Sequence, residues 1–358
     1  MKKYELTEET KTLDGGTVLH RIRAVRDIEL ADGTVVKAGD LGGWVESEAN
    51  LSQDGGEAWA SGEAQIYGEA RVSGRAEVSG KARVSGDAVV EGRARVYGEA
   101  CVYGSAMVHG EAMVSGSAMV FWNARVSGSA QIYGEAMVSG FAVVSGSAQI
   151  YGEARVSGSA VVSGSAVAYG EAQVSGKAVV GGKALVCDGA RVFDRARVTG
   201  EAQVFGKAEV GGEAEVYGMA RVHGKAEVYD LARVYGEAVV EGRARVYGMA
   251  TVFDEAQVSG DAKVSGEAEV GGEAVVEGRH DYSVFKNTWS SGRWFTYTRS
   301  DKMWQVGCFR GTGAELIAKA YKDSSLSGKC YEAIVRVQEA IDGAVEERLP
   351  KESDEARL

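Results

Sequence analysis

A mainly β fold is predicted: a three-sided, single-stranded parallel β-helix of about 12 coils, with a β-rich N-terminal cap and a small C-terminal α+β module. Three observations predict it. Alanine occupies every sixth position from Ala58 to Ala274, 37 times without insertion or deletion. Two residues after each alanine comes Val in 32 cases, the exceptions being Ile66, Ile132, Ile150, Ala60 and Ala168. Two residues later again comes Gly in 32 cases, replaced only by Trp122, Asp188, Asp194, Asp230 and Asp254. A fixed short period marks a solenoid, whose units bury their apolar face only by stacking on neighbours.

Residues 1–56 are not repetitive. Thr17–Val25 alternates as a strand, and Asp27–Val36 reads as a hairpin over the Asp32-Gly33 turn. The run Gly39-Asp40-Leu41-Gly42-Gly43-Trp44 follows as a glycine-rich connection with one large aromatic. An open solenoid end exposes core and unpaired backbone, so this segment is expected to be a cap.

Residues 57–278 are the solenoid. Ala, Val and Gly alternate with polar or variable residues, the strand period of two, with a small residue marking each turn. Three hexads make one coil, and at ~4.8 Å per coil the rod is roughly 60 Å long. Its interior has room for Ala and Val and little else.

Residues 279–349 change character. Tyr282–Trp289, Arg293–Arg299 and Met303–Phe309 read as three strands. Thr312 with Glu315 makes a capping box that opens a helix running to about Lys322. A second helix over Ser327–Ile341 carries Ala333, Ile334, Val337 and Ile341 as its apolar stripe, with Gly343 as its stop. The tail 350–358 is charged and is expected to be disordered.

Composition narrows the function. The single proline, Pro350, lies in the tail, as a continuous β ladder requires. No apolar run is long enough for a membrane span and no signal-peptide core follows Met1, so a cytoplasmic protein is expected. The four cysteines lack C-x-x-C spacing and read as free thiols. Net charge is −11, against the basic surface that binding of duplex DNA by the rod would need.

The hexads resemble the left-handed parallel β-helix of the hexapeptide-repeat proteins, which include acyltransferases and gamma-class carbonic anhydrases. Here Gly falls one position later than that family's usual Gly or Asp. The layout of Gly39–Trp44 leading into G-x-A-x-V repeats also looks like phage and prophage proteins likened to polymer-forming cytoskeletal proteins. That resemblance implies a phage context, with action in the cytoplasm of a bacterial host, and no known activity.

Catalytic and metal sites are not expected, and neither is a cofactor. No loop is extruded from the 37 repeats, whereas the related acyltransferases use such loops. The repeat histidines, His109 and His223, are roughly 30 Å apart along the axis, too far to share a metal. Two aromatic columns recur at a spacing of 18 residues, Tyr133/Tyr151/Tyr169 and Tyr217/Tyr235/Phe253, and read as stabilising ladders or as a binding platform.

The outward strand position turns apolar mid-rod, at Met107, Met119, Met137, Val143, Val161, Val167, Val179 and Leu185, with Phe141 beside them. Outward Val is ordinary in strands, but a contiguous apolar belt marks an interface, and the expectation is a homo-oligomer packed side by side. In the C-terminal module, Arg293, Trp294, Tyr297, Arg299, Trp304 and Arg310 combine aromatics with arginines, the chemistry of base or nucleotide stacking; a small module also needs aromatics for its core. The leading expectation is a non-enzymatic oligomeric rod presenting this module to a partner. A phage counter-defence protein that blocks a host protein or sequesters a nucleotide is second, and a diverged acyltransferase-like enzyme third.

Overall fold

The computed structural model describes residues 2–53, 56–278 and 280–346. The expected tail, 350–358, lies outside them. Strands β1 (Tyr4–Thr12), β2 (Val18–Ala24), β3 (Ile28–Glu29), β4 (Val35–Val36) and β5 (Leu41–Val45) build the N-terminal part. Then come 37 two-residue strands, β6 (Trp59–Ala60) to β42 (Val275–Val276), one per hexad.

Each coil strand pairs in parallel with the strand 18 residues on, as Val143 with Val161 and Val161 with Val179. Three stacked faces result. The first runs from β5 and β7 to β40, the second from β8 to β41, and the third from β6 to β42, which is 13 strands high. The stack thus exceeds the expected 12 coils, because β5 and a Leu51–Val72 bridge add a rung below the first hexads.

The hexad now has a geometry. Its Ala and Val side chains point inward and are buried throughout, so the core is a continuous dry column. The Gly position turns the corner with φ between 61 and 74° in each of its glycines from Gly62 to Gly272. The five replacements hold φ of 56–60°, the left-handed region that costs an ordinary side chain about 1–2 kcal/mol. Four of them are Asp, and each Oδ2 accepts a hydrogen bond from the glycine amide one coil above, as Asp188 does from Gly206 at 3.1 Å.

Strand β1, which alternation did not predict, pairs antiparallel with β2. Its run of charged residues hides the pattern, because only its first residue, Tyr4, is buried. Strand β5 is the first rung of the solenoid, pairing in parallel with Gln65-Ile66. Gly42 and Gly43 permit this: a Cβ on Gly42 would sit 2.5 Å from Ile22 Cγ1 and 2.7 Å from the Ala60 carbonyl. Asn50 closes the cap by donating to the carbonyls of Gly68 and Ala70.

The C-terminal module has four antiparallel strands, β43 (Tyr282–Lys286), β44 (Trp294–Thr298), β45 (Met303–Val306) and β46 (Phe309–Gly311), then helices α1 (Gly313–Asp323) and α2 (Ser325–Glu346). The fourth strand replaces the expected end of the third, because Gly307 at φ 59° starts a tight turn before Phe309. Helix α1 opens on the Thr312–Glu315 capping box. Helix α2 departs from expectation twice. It runs through Gly343, since one interior glycine costs only about 1 kcal/mol. Its packed face is Tyr331, Ile334, Val335 and Gln338, while Ala333, Val337 and Ile341 of the expected stripe are exposed. The helix is turned by the aromatic core it covers: Tyr331 meets Phe295 edge-on at 4.6 Å.

Candidate functional site

Alternation along β44 puts two sets of residues on opposite faces, and both are buried. Phe295 and Tyr297 face the helices with Trp304. Thr296 and Thr298 face the end of the rod. Thr296 Oγ1 accepts from the Glu269 amide at 2.8 Å and Ser300 Oγ from the Val275 amide at 2.8 Å. The Tyr282 hydroxyl donates to the Lys263 carbonyl at 2.7 Å. These contacts satisfy the last coil's unpaired edge, so the module is the rod's second cap.

The six recognition candidates in this module therefore divide. Tyr297 and Trp304 are core, 5% and 2% exposed, and offer no open ring face, a correction to their expected role in stacking on bases. The Tyr297 hydroxyl donates to Asp342 Oδ2 at 2.7 Å, and burial, then this carboxylate, push its pKa upward. Arg299 is also paired inward, with Asp342 Oδ1 at 2.7 Å. Arg310 pairs with Asp301 inside the module and ties it to the rod by donating to the Gly271 carbonyl. Only Arg293 and Trp294 remain open to a partner, and Lys286 lies 4.6 Å over the Trp294 ring. Sequence reasoning missed Gln338 and Asp342, which join this network across α2; a polar residue on an assumed solvent face gave no signal.

The aromatic columns are ladders. Tyr133–Tyr151 and Tyr151–Tyr169 stack at 4.8 and 5.0 Å, nearly parallel, and Tyr217–Tyr235 at 4.8 Å. Their ring faces cover each other rather than a ligand. His223 stacks on Phe205 at 4.6 Å and its Nε2 lies 3.3 Å from Glu241. Among the described residues no group of three or more His, Cys, Asp or Glu side chains is placed to hold a metal ion.

Charged outward residues pair between coils at the same 18-residue offset. Lys81–Glu99, Lys183–Glu201, Arg191–Glu209 and Arg195–Glu213 are rungs of 2.7–3.0 Å. Part of the mixed charge of the repeats is thus paired between coils.

The nine belt candidates do not form one patch. Met119 and Met137 are neighbours on the first face. Val167 and Leu185 are neighbours on the third. Val143, Val161 and Val179 are consecutive on the second, with Met107 separated from them by Arg125. Phe141, 66% exposed, edges the second face. On that face two successive rungs, 141–147 and 159–165, contain no charged residue, only Phe, Ala, Val, Ser and Gly. A flat strip of half-buried valines and small hydroxyls results.

A family model described as the YdcK beta solenoid repeat matches residues 130–146 and 148–164, each about one coil and both overlapping this strip. No curated protein matches the chain. With the stacked parallel sheets, this supports a β-helix repeat protein. No helix among the described residues is long and apolar enough to cross a membrane.

Proposed function

We propose that the protein is a non-enzymatic rod that self-associates side by side through its second face. The observation that carries the reading is the uncharged double rung 141–147 and 159–165, in a chain whose residues are 25% charged. Flat β surfaces that lack charge and carry rows of valine pack against their own kind, and native sheets normally guard exposed surface with charge. Both rod ends are capped, which leaves the sides for assembly. The turns support the absence of chemistry, since every hexad from Ala58 to Ala274 keeps the same six-residue step and no loop is inserted between hexads to overhang a cleft.

The layout of Gly39–Trp44 followed by the hexads favours the phage and prophage type of β-helix protein, acting in the cytoplasm of a bacterial host. Arg293 and Trp294 are the exposed residues of the C-terminal cap that suit contact with a host protein.

Light scattering on the purified chain at micromolar concentration tests the rod. The expected result is a defined multimer that Val161→Glu converts to monomer without loss of far-UV signal. A strictly monomeric wild type sinks the reading. A monomer that forms a stoichiometric complex with a host defence protein, or purifies with a nucleotide, replaces it with the counter-defence reading.

A further inference from the structure

Between β45, the start of α1 and the second half of α2 lies a recess of about 360 Å³, within the size range of small-molecule pockets. Two of its most buried residues have unused polar atoms. Gln338 is 3% exposed, and its Nε2 donates to Asp342 Oδ1 at 2.9 Å. That bond sets the amide orientation, because a carboxylate takes only the NH₂ end, and it leaves Gln338 Oε1 buried with no donor. Trp304 is 2% exposed, and its indole Nε1 makes no hydrogen bond among the described residues. It faces Gly313, where a Cβ would lie only 3.3 Å from it, so the glycine keeps the indole N–H accessible.

The recess is lined by groups of both signs. The first-turn amides of α1 at Gly313 and Ala314, which lack intrahelical acceptors, and Lys302 in the turn before β45 line it as donors with positive potential. Glu339 and Asp342 line it as carboxylates, Asp342 in contact with the Gln338 amide. Asp342 is already occupied by Tyr297, Arg299 and Gln338, so Glu339 is the open carboxylate. The buried Gln338 acceptor left unused is costly, and a ligand that brings it a donor recovers that cost, while the accessible indole N–H offers the same ligand a donor.

We propose that this recess binds a small zwitterion of the α-amino-acid class. The carboxylate is received by Trp304 Nε1, the α1 amides and Lys302, and the ammonium by Gln338 Oε1 and Glu339. Neither the rod's self-association nor its cap contacts depend on this site.

Calorimetric titration of the full chain with each common L-amino acid, at up to about 10 mM so that a millimolar site fills, tests the proposal. At least one amino acid is expected to bind saturably. Its decarboxylated amine and its N-acetyl derivative are expected to bind at least about tenfold more weakly. Lys302→Gly removes the cation and relieves a φ of 55°, so it is expected to fold and to lose at least about tenfold in affinity. Gln338→Leu is expected to do the same, and its melting temperature without ligand reports whether it folds. No binding by any amino acid overturns the proposal, as does equal binding of the amine or the N-acetyl form, or unchanged affinity in Lys302→Gly.

Discussion

Gly158 sits at a coil corner with φ +69°, and the stack around it makes a quantitative test of the corner geometry possible. A Cβ added there would lie 2.8 Å from the Gly176 carbonyl oxygen and 2.9 Å from its nitrogen. Gly158→Ala therefore incurs the left-handed penalty of about 1–2 kcal/mol. Displacing the coil above adds roughly 1–3 kcal/mol, for a total of about 2–5. Gly158→Asp meets the same backbone, but Asp tolerates the left-handed region better, and its carboxylate can accept from the Gly176 amide as Asp188 does from Gly206. A charge-assisted bond at this exposed corner is worth about 1 kcal/mol. The expected order of stability is wild type, then Gly158→Asp, then Gly158→Ala, with the variants at least about 1 kcal/mol apart. Guanidinium denaturation of the three proteins side by side, followed by far-UV circular dichroism, reads that order. Gly158→Ala with a wild-type midpoint, or Gly158→Asp at or below Gly158→Ala, would refute the reasoning.

Three further outcomes are expected. Gly42→Ala places a methyl 2.5 Å from Ile22 and 2.7 Å from the Ala60 carbonyl, so it should loosen the N-terminal cap by roughly 1–3 kcal/mol, seen as faster proteolysis within residues 2–53 while the coils stay protected. Arg310→Ala removes the tie from the C-terminal cap to the Gly271 carbonyl and leaves Asp301 without its cation; a loss of about 1–3 kcal/mol, with early hydrogen exchange confined to the last coil, is expected, and unchanged exchange there counts against the cap. Burial raises the pKa of Glu269, so its charged form is disfavoured in the folded state. That penalty is absent below the ordinary carboxylate range and grows as pH rises through the ordinary and then the raised value. Glu269→Gln should accordingly stabilise the protein at pH 7 and be neutral in acid; an equal effect at both pH values contradicts this.

The candidate surfaces were legible to unequal degrees. The belt residues follow from position in the hexad, since the outward register is fixed by the alternation. That Met119, Val143 and Val167 lie on three different faces also follows from the 18-residue coil. The module was harder. Trp294, Tyr297 and Trp304 look alike as aromatics near arginines, and only the packing of α2 separates exposed Trp294 from buried Trp304. The error over Ala333, Val337 and Ile341 has the same source: with two apolar stripes on one helix, periodicity cannot choose which faces the sheet. The recess beside Trp304 depends on Gln338 and Asp342, polar residues whose burial no local pattern announces.

By itself, the sequence determined the solenoid, its period, its alanine–valine interior and its corners, because each hexad meets only copies of itself and local pattern equals tertiary environment. What only the tertiary structure decided lies at the two ends. There Gly42 and Gly43 admit a first rung, and Thr296 and Ser300 close the last one. Non-repeating segments pack against partners distant in sequence, and their contacts are set by shape and hydrogen-bond satisfaction rather than by any period.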